Sequence, residues 1–186
     1  MAKIISFSNQ KGGVGKTSTC VNMAAAIALR GKKVLLIDID PQGNATTGLG
    51  FSKSELENSV YSVLIEDKPI TEALQKTEIK GLDLLPSSID LAGAEVELVY
   101  QKNRENKLNY ALRQISTVYD YVMIDCPPSL GLLTINALAS SDSVIIPIQS
   151  EYFAMEGLSQ LMNSIKLVNQ HLNPNLKIEG VVITMY

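Results

Sequence analysis

Short runs of apolar residues, mostly β-branched or Leu, recur along the chain at 4–8, 34–38, 82–85, 121–125, 144–148 and 181–184. Their apolarity is unbroken rather than alternating, which marks strands covered on both faces. Between them apolar residues return at helical spacing: Val21, Ala24, Ala25 and Ala28; then Leu108, Ala111, Leu112 and Ile115; then Leu158, Leu161, Met162, Ile165 and Leu172. Positions i, i+3 and i+4 give a helix with one buried stripe. Strands alternating with such helices are βαβ units, whose right-handed crossovers build a mostly parallel sheet with helices on both faces. The expected fold class is α/β, a doubly wound, mostly parallel sheet, with residues 1–186 as a single domain. The stretch 43–53, rich in Gly, Asn, Thr and Ser, is the most loop-like. Residues 180–186 read as a buried strand without the loop and helix that a parallel strand normally feeds, so a chain truncated at its carboxyl end is expected.

Composition narrows the class. The chain has 186 residues, 46% hydrophobic and 19% charged, a balance that excludes disorder. A chain of this size buries roughly 70% of the surface its unfolded form exposes. The net charge of −3, with no run of Lys and Arg longer than a pair, gives no electrostatic footprint for nucleic acid. Cys20 and Cys126 each sit in an apolar stretch, the pattern of packed thiols in a reducing compartment. The first residues enter a strand pattern directly, without the marks of a signal peptide. No run approaches the roughly 20 apolar residues a membrane span needs. A soluble, cytoplasmic protein is expected.

The first strand leads into Ser8-Asn9-Gln10-Lys11-Gly12-Gly13-Val14-Gly15-Lys16-Thr17-Ser18 and then into the first helix. A loop between a strand's carboxyl end and a helix's amino end aims backbone N–H groups and the positive end of the helix dipole at one spot, an anion site. Glycine at 12, 13 and 15 lets the backbone wrap phosphate oxygens in conformations a Cβ obstructs. Lys16 then places a charge on the β and γ phosphates of ATP, and the Thr17 hydroxyl ligates Mg²⁺. The pattern departs from the standard phosphate loop, whose first glycine falls where this chain has Gln10. A second lysine, Lys11, stands beside it. One loop uses only one lysine in the Lys16 role, so Lys11 must do something else; the loop residues expected to bind nucleotide are Gly12, Gly13, Val14, Gly15, Lys16, Thr17 and Ser18.

Two further strands end in carboxylates. In a doubly wound sheet the carboxyl ends of the strands face the ligand crevice, so Asp38, Asp40 and Asp125 are all expected near the phosphates. A carboxylate there organises the water shell of magnesium or positions the attacking water, which phosphoryl transfer leaves to side chains. Asp125 closes the apolar strand 121–125 in the manner of a Walker B strand, so Thr17, Asp38 and Asp125 form the expected metal set. His171, the single histidine, falls at the end of a helix before Asn173-Pro174, a position that complements the helix dipole rather than one that serves catalysis.

Lys11-Gly12-Gly13-Val14-Gly15-Lys16-Thr17 resembles the deviant Walker A signature, and Asp38-Ile39-Asp40-Pro41-Gln42-Gly43-Asn44 resembles its companion in the ParA group. Asp125-Cys126-Pro127-Pro128-Ser129-Leu130-Gly131, Leu91-Ala92-Gly93-Ala94-Glu95 and Glu156-Gly157-Leu158 are similar to the chromosomal ParA proteins called Soj. The resemblance implies a slow ATPase that dimerises on ATP, binds DNA non-specifically as that dimer, and is reset when a ParB-type partner stimulates hydrolysis. It implies a place on the nucleoid, in chromosome or plasmid partitioning, with replication initiation or sporulation as further processes served. By the same carry-over Lys11 reaches the phosphates of the other subunit, Gly12 keeps the dimer interface thin, and Asp40 orients the hydrolytic water. Lys11, Lys16 and Asp40 are thus the implied catalytic residues, with ATP and Mg²⁺ as cofactors. The family chain runs on for roughly 60 to 70 further residues, still within ordinary domain size. Adenine and DNA contacts are expected in that segment. MinD-type ATPases share the loop but carry Pro-Ala-Gly after the second carboxylate, where this chain has Pro127-Pro128-Ser129. A nucleotide-stabilised scaffold that barely turns over remains a second reading.

Overall fold

The computed structural model describes residues 1–150 and 154–185, with side chains from 157 onward in the last helix. The strands are β1 (Lys3–Phe7), β2 (Val34–Asp38), β3 (Gln75–Lys76), β4 (Leu82–Leu85), β5 (Tyr121–Asp125), β6 (Ser143–Gln149) and β7 (Lys177–Thr184). The helices are α1 (Lys16–Leu29), α2 (Asn44–Gly48), α3 (Val60–Leu64), α4 (Ile70–Ala73), α5 (Leu91–Leu98), α6 (Lys107–Arg113), α7 (Leu132–Ser140) and α8 (Ala154–His171). One sheet runs in the order β3-β4-β2-β5-β1-β6-β7. Every neighbouring pair is parallel except β3 and β4.

The unbroken apolar runs follow from cover on both faces. Leu35 and Ile37 of β2 and Val122 and Ile124 of β5 pack with residues of α3, α5, α6 and α7. Their neighbours Val34, Leu36 and Met123 face the other way, with Ile5, Phe7 and Cys20, Ala24 and Ala28 of α1. α8 adds Leu161, Ile165 and Val168 over Val144 and Ile146 of β6, next to Leu138 of α7. Each such side chain contributes about 1.5–3 kcal/mol by leaving water. No helix among the described residues is long and apolar enough to cross a membrane.

Two sequence expectations need correction, and one strand had no expectation. β7 is not a buried strand: it pairs with β6 alone, and Val181 and Ile183 are 49% and 57% exposed while the alternate positions are half-buried. Alternation of this kind belongs to an edge strand covered on one face. Residue 186, which closed that expected strand, lies outside the described residues, as does the Glu156 side chain. The loop-like stretch 43–53 contains α2, and the reason lies in a distant side chain: Asp38 Oδ2 accepts the Thr46 amide at 2.7 Å, replacing the local cap that the sequence lacks. β3 is a two-residue antiparallel edge strand with no apolar pattern to announce it.

Candidate functional site

The sheet order sets the site. β1 leads through α1 over β5 to β2, whereas β5 leads through α7 over β1 to β6, so the connections diverge from the carboxyl ends of β1 and β5. A crevice opens where connections diverge in this way. In register, Phe7 pairs with Asp125 and Asp125 with Asp38. The last residues of three neighbouring strands therefore lie level, and the two aspartates, side by side on parallel strands, project to the same side.

The loop after β1 wraps this edge. Asn9 donates Nδ2–H to the Pro147 carbonyl at 2.7 Å and accepts the Lys11 amide on Oδ1 at 3.0 Å, tying the loop's first residues to the end of β6. Gly13 and Gly15 adopt φ of +75° and +78°, which a Cβ disfavours. Gly12 does not take a left-handed φ, and a Cβ there would meet nothing within 4 Å, so the conformational argument holds for Gly13 and Gly15 and not for Gly12. α1 begins directly after Gly15, and its first turn leaves the amides of Lys16, Thr17 and Ser18 without helical partners, aimed at the crevice. The hydroxyl of Thr184 at the end of β7 lies 2.8 Å from the Val14 carbonyl, and Gln149 Nε2 donates to the Gly13 carbonyl at 3.2 Å.

Lys16 is buried, 7% exposed, and donates Nζ–H to the Lys11 carbonyl at 3.1 Å. Burial lowers its pKa, and the charges of Asp125 and Asp40 oppose that shift. Asp125 is fully buried, and neither carboxylate oxygen has a hydrogen bond of normal geometry, although the Thr17 hydroxyl lies close enough to favour its charge. Burial first, then the Asp38 charge beside it, pushes its pKa up to about 7. Asp38 is likewise raised to about 6, chiefly by burial, with the Thr46 hydroxyl and amide holding it down. Asp40 lies just beyond the end of β2, with Oδ1 accepting the Gln42 amide at 2.9 Å.

Gly12, Gly13, Gly15, Lys16, Thr17, Ser18, Asp40, Gln42 and Asn44 line one cleft of about 480 Å³. Most of the expected nucleotide and catalytic residues thus converge on it, whereas Lys11, Val14 and the fully buried Asp38 and Asp125 at the neighbouring strand ends are not in its lining. Among the described residues no cluster of three or more His, Cys, Asp or Glu forms a protein-only metal cage. Magnesium does not require one, because it keeps waters and phosphate oxygens as ligands and takes few from protein. Cys20 and Cys126 are buried free thiols whose pKa values burial pushes up, and His171 ends α8, outside the cleft lining. Sequence reasoning missed Asn9, Thr46, Ser87, Gln149 and Thr184. Gln149 and Thr184 reach the phosphate loop, and Ser87 the turn after β2, across long sequence separations that leave no local pattern. Asn9 stands in the loop as a lone polar residue, and Thr46 in α2. A second hollow of about 450 Å³ lies between α7 and α8; its lining is mainly Leu130, Ile135, Leu138, Leu167, Val168 and Leu172, with Glu105, Thr134, Ser164 and His171 as its polar members.

The family described as an AAA domain matches residues 2–178. The sporulation initiation inhibitor protein Soj of Bacillus subtilis is 57% identical over 185 residues, covering 100% of this chain and 73% of Soj. The chromosome partitioning protein ParA of Myxococcus xanthus is 55% identical over 186 residues, covering 100% of this chain and 66% of that protein. The chain belongs to the ParA/Soj family. Its members form a group of nucleotide-hydrolysing P-loop ATPases, and this chain is shorter than both relatives. A solved structure described as cobyrinic acid a,c-diamide synthase from Mycobacterium smegmatis, with bound ATP analog and magnesium, superimposes with a TM-score of 0.96 at 44% identity. The match covers 100% of this chain and 76% of that chain. The phosphate loop of this ParA/Soj chain therefore stands in a framework that holds an ATP analog and magnesium in a relative.

Proposed function

We propose that this chain is the Mg-ATP-dependent ATPase switch of a partitioning system. One observation carries the reading: a buried Asp125 carboxylate with no normal hydrogen bond sits beside Asp38 and Thr17 and under a buried Lys16. An unpaired buried carboxylate is costly, and a hydrated divalent cation is the group that would compensate it. The residues fit magnesium: the Thr17 hydroxyl as a direct ligand, Asp125 and Asp38 holding its waters. Bound there, the ion would offset charge building on the transferred phosphoryl group.

The amides of residues 13–17 and the Lys16 ammonium bind the β and γ phosphates, with Gly12, Val14 and Ser18 completing the loop. Asp40 orients the attacking water. Lys11 acts across an ATP-dependent homodimer, where Gly12, with open space before it, permits close approach. Dimerisation on ATP, non-specific DNA binding by the dimer of the full-length protein, slow basal turnover, stimulation by a ParB-type partner and a cytoplasmic, nucleoid-associated location are parts of the same proposal. So is the assignment of residues 1–186 to one P-loop ATPase domain. The Soj and ParA relatives support it.

The test is Lys16→Ala, assayed with a fluorescent ATP analogue beside a thermal melt. Loss of a charge-assisted phosphate contact should weaken binding by roughly 10- to 150-fold in a chain that still melts cooperatively. Unchanged affinity would remove the loop from the site.

A further inference from the structure

Outside the loop, four buried residues close a ring of hydrogen bonds around Asp40. The Asp40 amide donates to Asp38 Oδ1 at 3.3 Å. Asp38 Oδ2 accepts both the amide and the hydroxyl of Thr46, each at 2.7 Å. The Thr46 hydroxyl, its proton spent on Asp38, accepts the Ser87 amide at 2.9 Å. Ser87 Oγ then donates to the Asp40 carbonyl at 2.8 Å, which closes the ring. Asp38, Thr46 and Ser87 are 0% exposed and Asp40 is 7% exposed. The same Asp40 carbonyl accepts the Gly43 amide at 2.8 Å, and the carboxylate caps the Gln42 amide. Asp40 is therefore held from both its main chain and its side chain.

Ser87 is the one member from outside the β2–α2 segment. It follows β4, in a loop fixed on its other side to α3: Val60 N–H donates to the Pro86 carbonyl at 2.9 Å, and Ser59 Oγ to Ser88 Oγ at 2.9 Å. A rigid neighbour thus braces a turn that would otherwise hang from the end of β2. In a water-free setting each of these bonds resists loss, because a broken partner has no solvent to turn to.

We infer that Ser87 and Thr46 are positioning residues that fix the Asp40 turn, and so hold the Asp40 carboxylate in place at the phosphate cleft. The inference rests on the proposed role of Asp40 for its catalytic consequence, but the fixing of the turn is measurable without nucleotide. Ser87→Ala deletes only the hydroxyl and leaves the Ser87 amide on Thr46. Thr46→Val strands that amide and removes a donor from Asp38, while Thr46→Ser is smaller than the native residue and keeps both bonds.

Amide hydrogen exchange of the nucleotide-free chain is read by NMR at Gln42 and Gly43, with Leu36 in β2 as the reference. Ser87→Ala and Thr46→Val should speed exchange at the two turn amides by roughly three- to tenfold relative to Leu36, and Thr46→Ser should restore it. Single-turnover ATP hydrolysis by Ser87→Ala should fall by roughly tenfold at unchanged ATP affinity. The double variant with Asp40→Ala should lose no more than Asp40→Ala alone, since both act on one group. Parental exchange at Gln42 and Gly43 in a folded Ser87→Ala chain overturns the inference. So does parental hydrolysis by Ser87→Ala where Asp40→Ala is inactive, or additive losses in the double variant. If Asp40→Ala itself keeps parental turnover, the Asp40 assignment is at fault, and the exchange result alone decides whether Ser87 and Thr46 fix the turn. Failure of Thr46→Val to fold leaves Ser87→Ala to decide.

Discussion

Asp125 shows at the scale of one residue how a binding site is maintained at the expense of the empty fold. Its folded-state pKa of about 7 lies above the ordinary carboxylate value near 4. Between these values the folded chain holds a proton that the unfolded chain has released, so stability falls as pH rises through that window and levels off above it. Asp38, raised to about 6, adds to the same slope. Melts of the nucleotide-free chain should therefore show a greater loss between about pH 5 and about pH 8 in the parent than in Asp125→Asn. At the upper pH, Asp125→Asn should be the more stable protein by roughly 1–3 kcal/mol. The same variant should lose the magnesium dependence of ATP binding. Equal slopes in the two chains would show that Asp125 is not buried as a strained carboxylate. Asp40 lines the cleft, and its carboxylate accepts the Gln42 amide. Asp40→Ala should keep ATP affinity and lose turnover, because a group acting mainly in the transition state contributes little to the ground state; parental turnover would place the water-orienting role elsewhere. The convergence of Lys16, Thr17, Asp38 and Asp125 was legible from strand ends and a glycine-rich loop, since β-sheet register carries such residues to one edge. Ser87 was not, because a serine after a strand has no pattern that names the carbonyl it will meet.

At the scale of the element, the phosphate loop and α1 depend on backbone conformation more than on contacts. Gly15 has φ +78°, and an added Cβ would stand 3.4 Å from Thr184 Cγ2. Gly15→Ala should cost roughly 1–2 kcal/mol in the nucleotide-free chain, the penalty for a left-handed residue with a side chain. Gly12→Ala should shift stability by no more than about 0.5 kcal/mol, since its φ is ordinary and the space before it is open. If Gly12 faces a second subunit, the alanine variant should still bind ATP as a monomer while dimerising poorly. Denaturant melts with light scattering separate the two effects, and an equal stability loss in both variants would refute the distinction. Periodicity read β1, β2, β4, β5 and β6 well because their cover is two-sided and continuous. It misread β7, where Val182 packs inward while Val181 and Ile183 face out, because an apolar run does not say which faces find partners. It also took 43–53 for a loop, because the cap that permits α2 is a strand-end carboxylate six positions before its first residue.

At the scale of the whole molecule, one edge of the sheet carries the phosphate end of the site, and net charge carries no sign of a polyanion partner. Pro128 and Met185 add two apolar side chains to the cleft, whose other lining residues, Gly12, Gly13, Gly15, Lys16, Thr17, Ser18, Asp40, Gln42 and Asn44, come from the loops and helix starts after β1 and β2. These groups suit phosphate, metal and water. Reading a purine ring takes stacking and edge contacts that are worth on the order of 1–3 kcal/mol, or ~5- to 150-fold in affinity. The chain spans 73% of Soj and 66% of the Myxococcus ParA, whose additional length is available for such contacts. Residues 1–186 should therefore bind ATP and GTP with affinities within roughly fivefold of each other, in a magnesium-dependent manner, and more weakly than a full-length relative. DNA retention depends on releasing counterions to clustered Lys and Arg, and a chain of net charge −3 with 16 basic residues spread along it should show no salt-sensitive retention. Titrating ATP, GTP and a DNA duplex against this chain and against full-length Soj at two salt concentrations makes the comparison. Tight, adenine-selective binding together with salt-sensitive DNA retention by residues 1–186 alone would mean that base and backbone recognition are built from the residues described here, and that the division of the site proposed above is wrong.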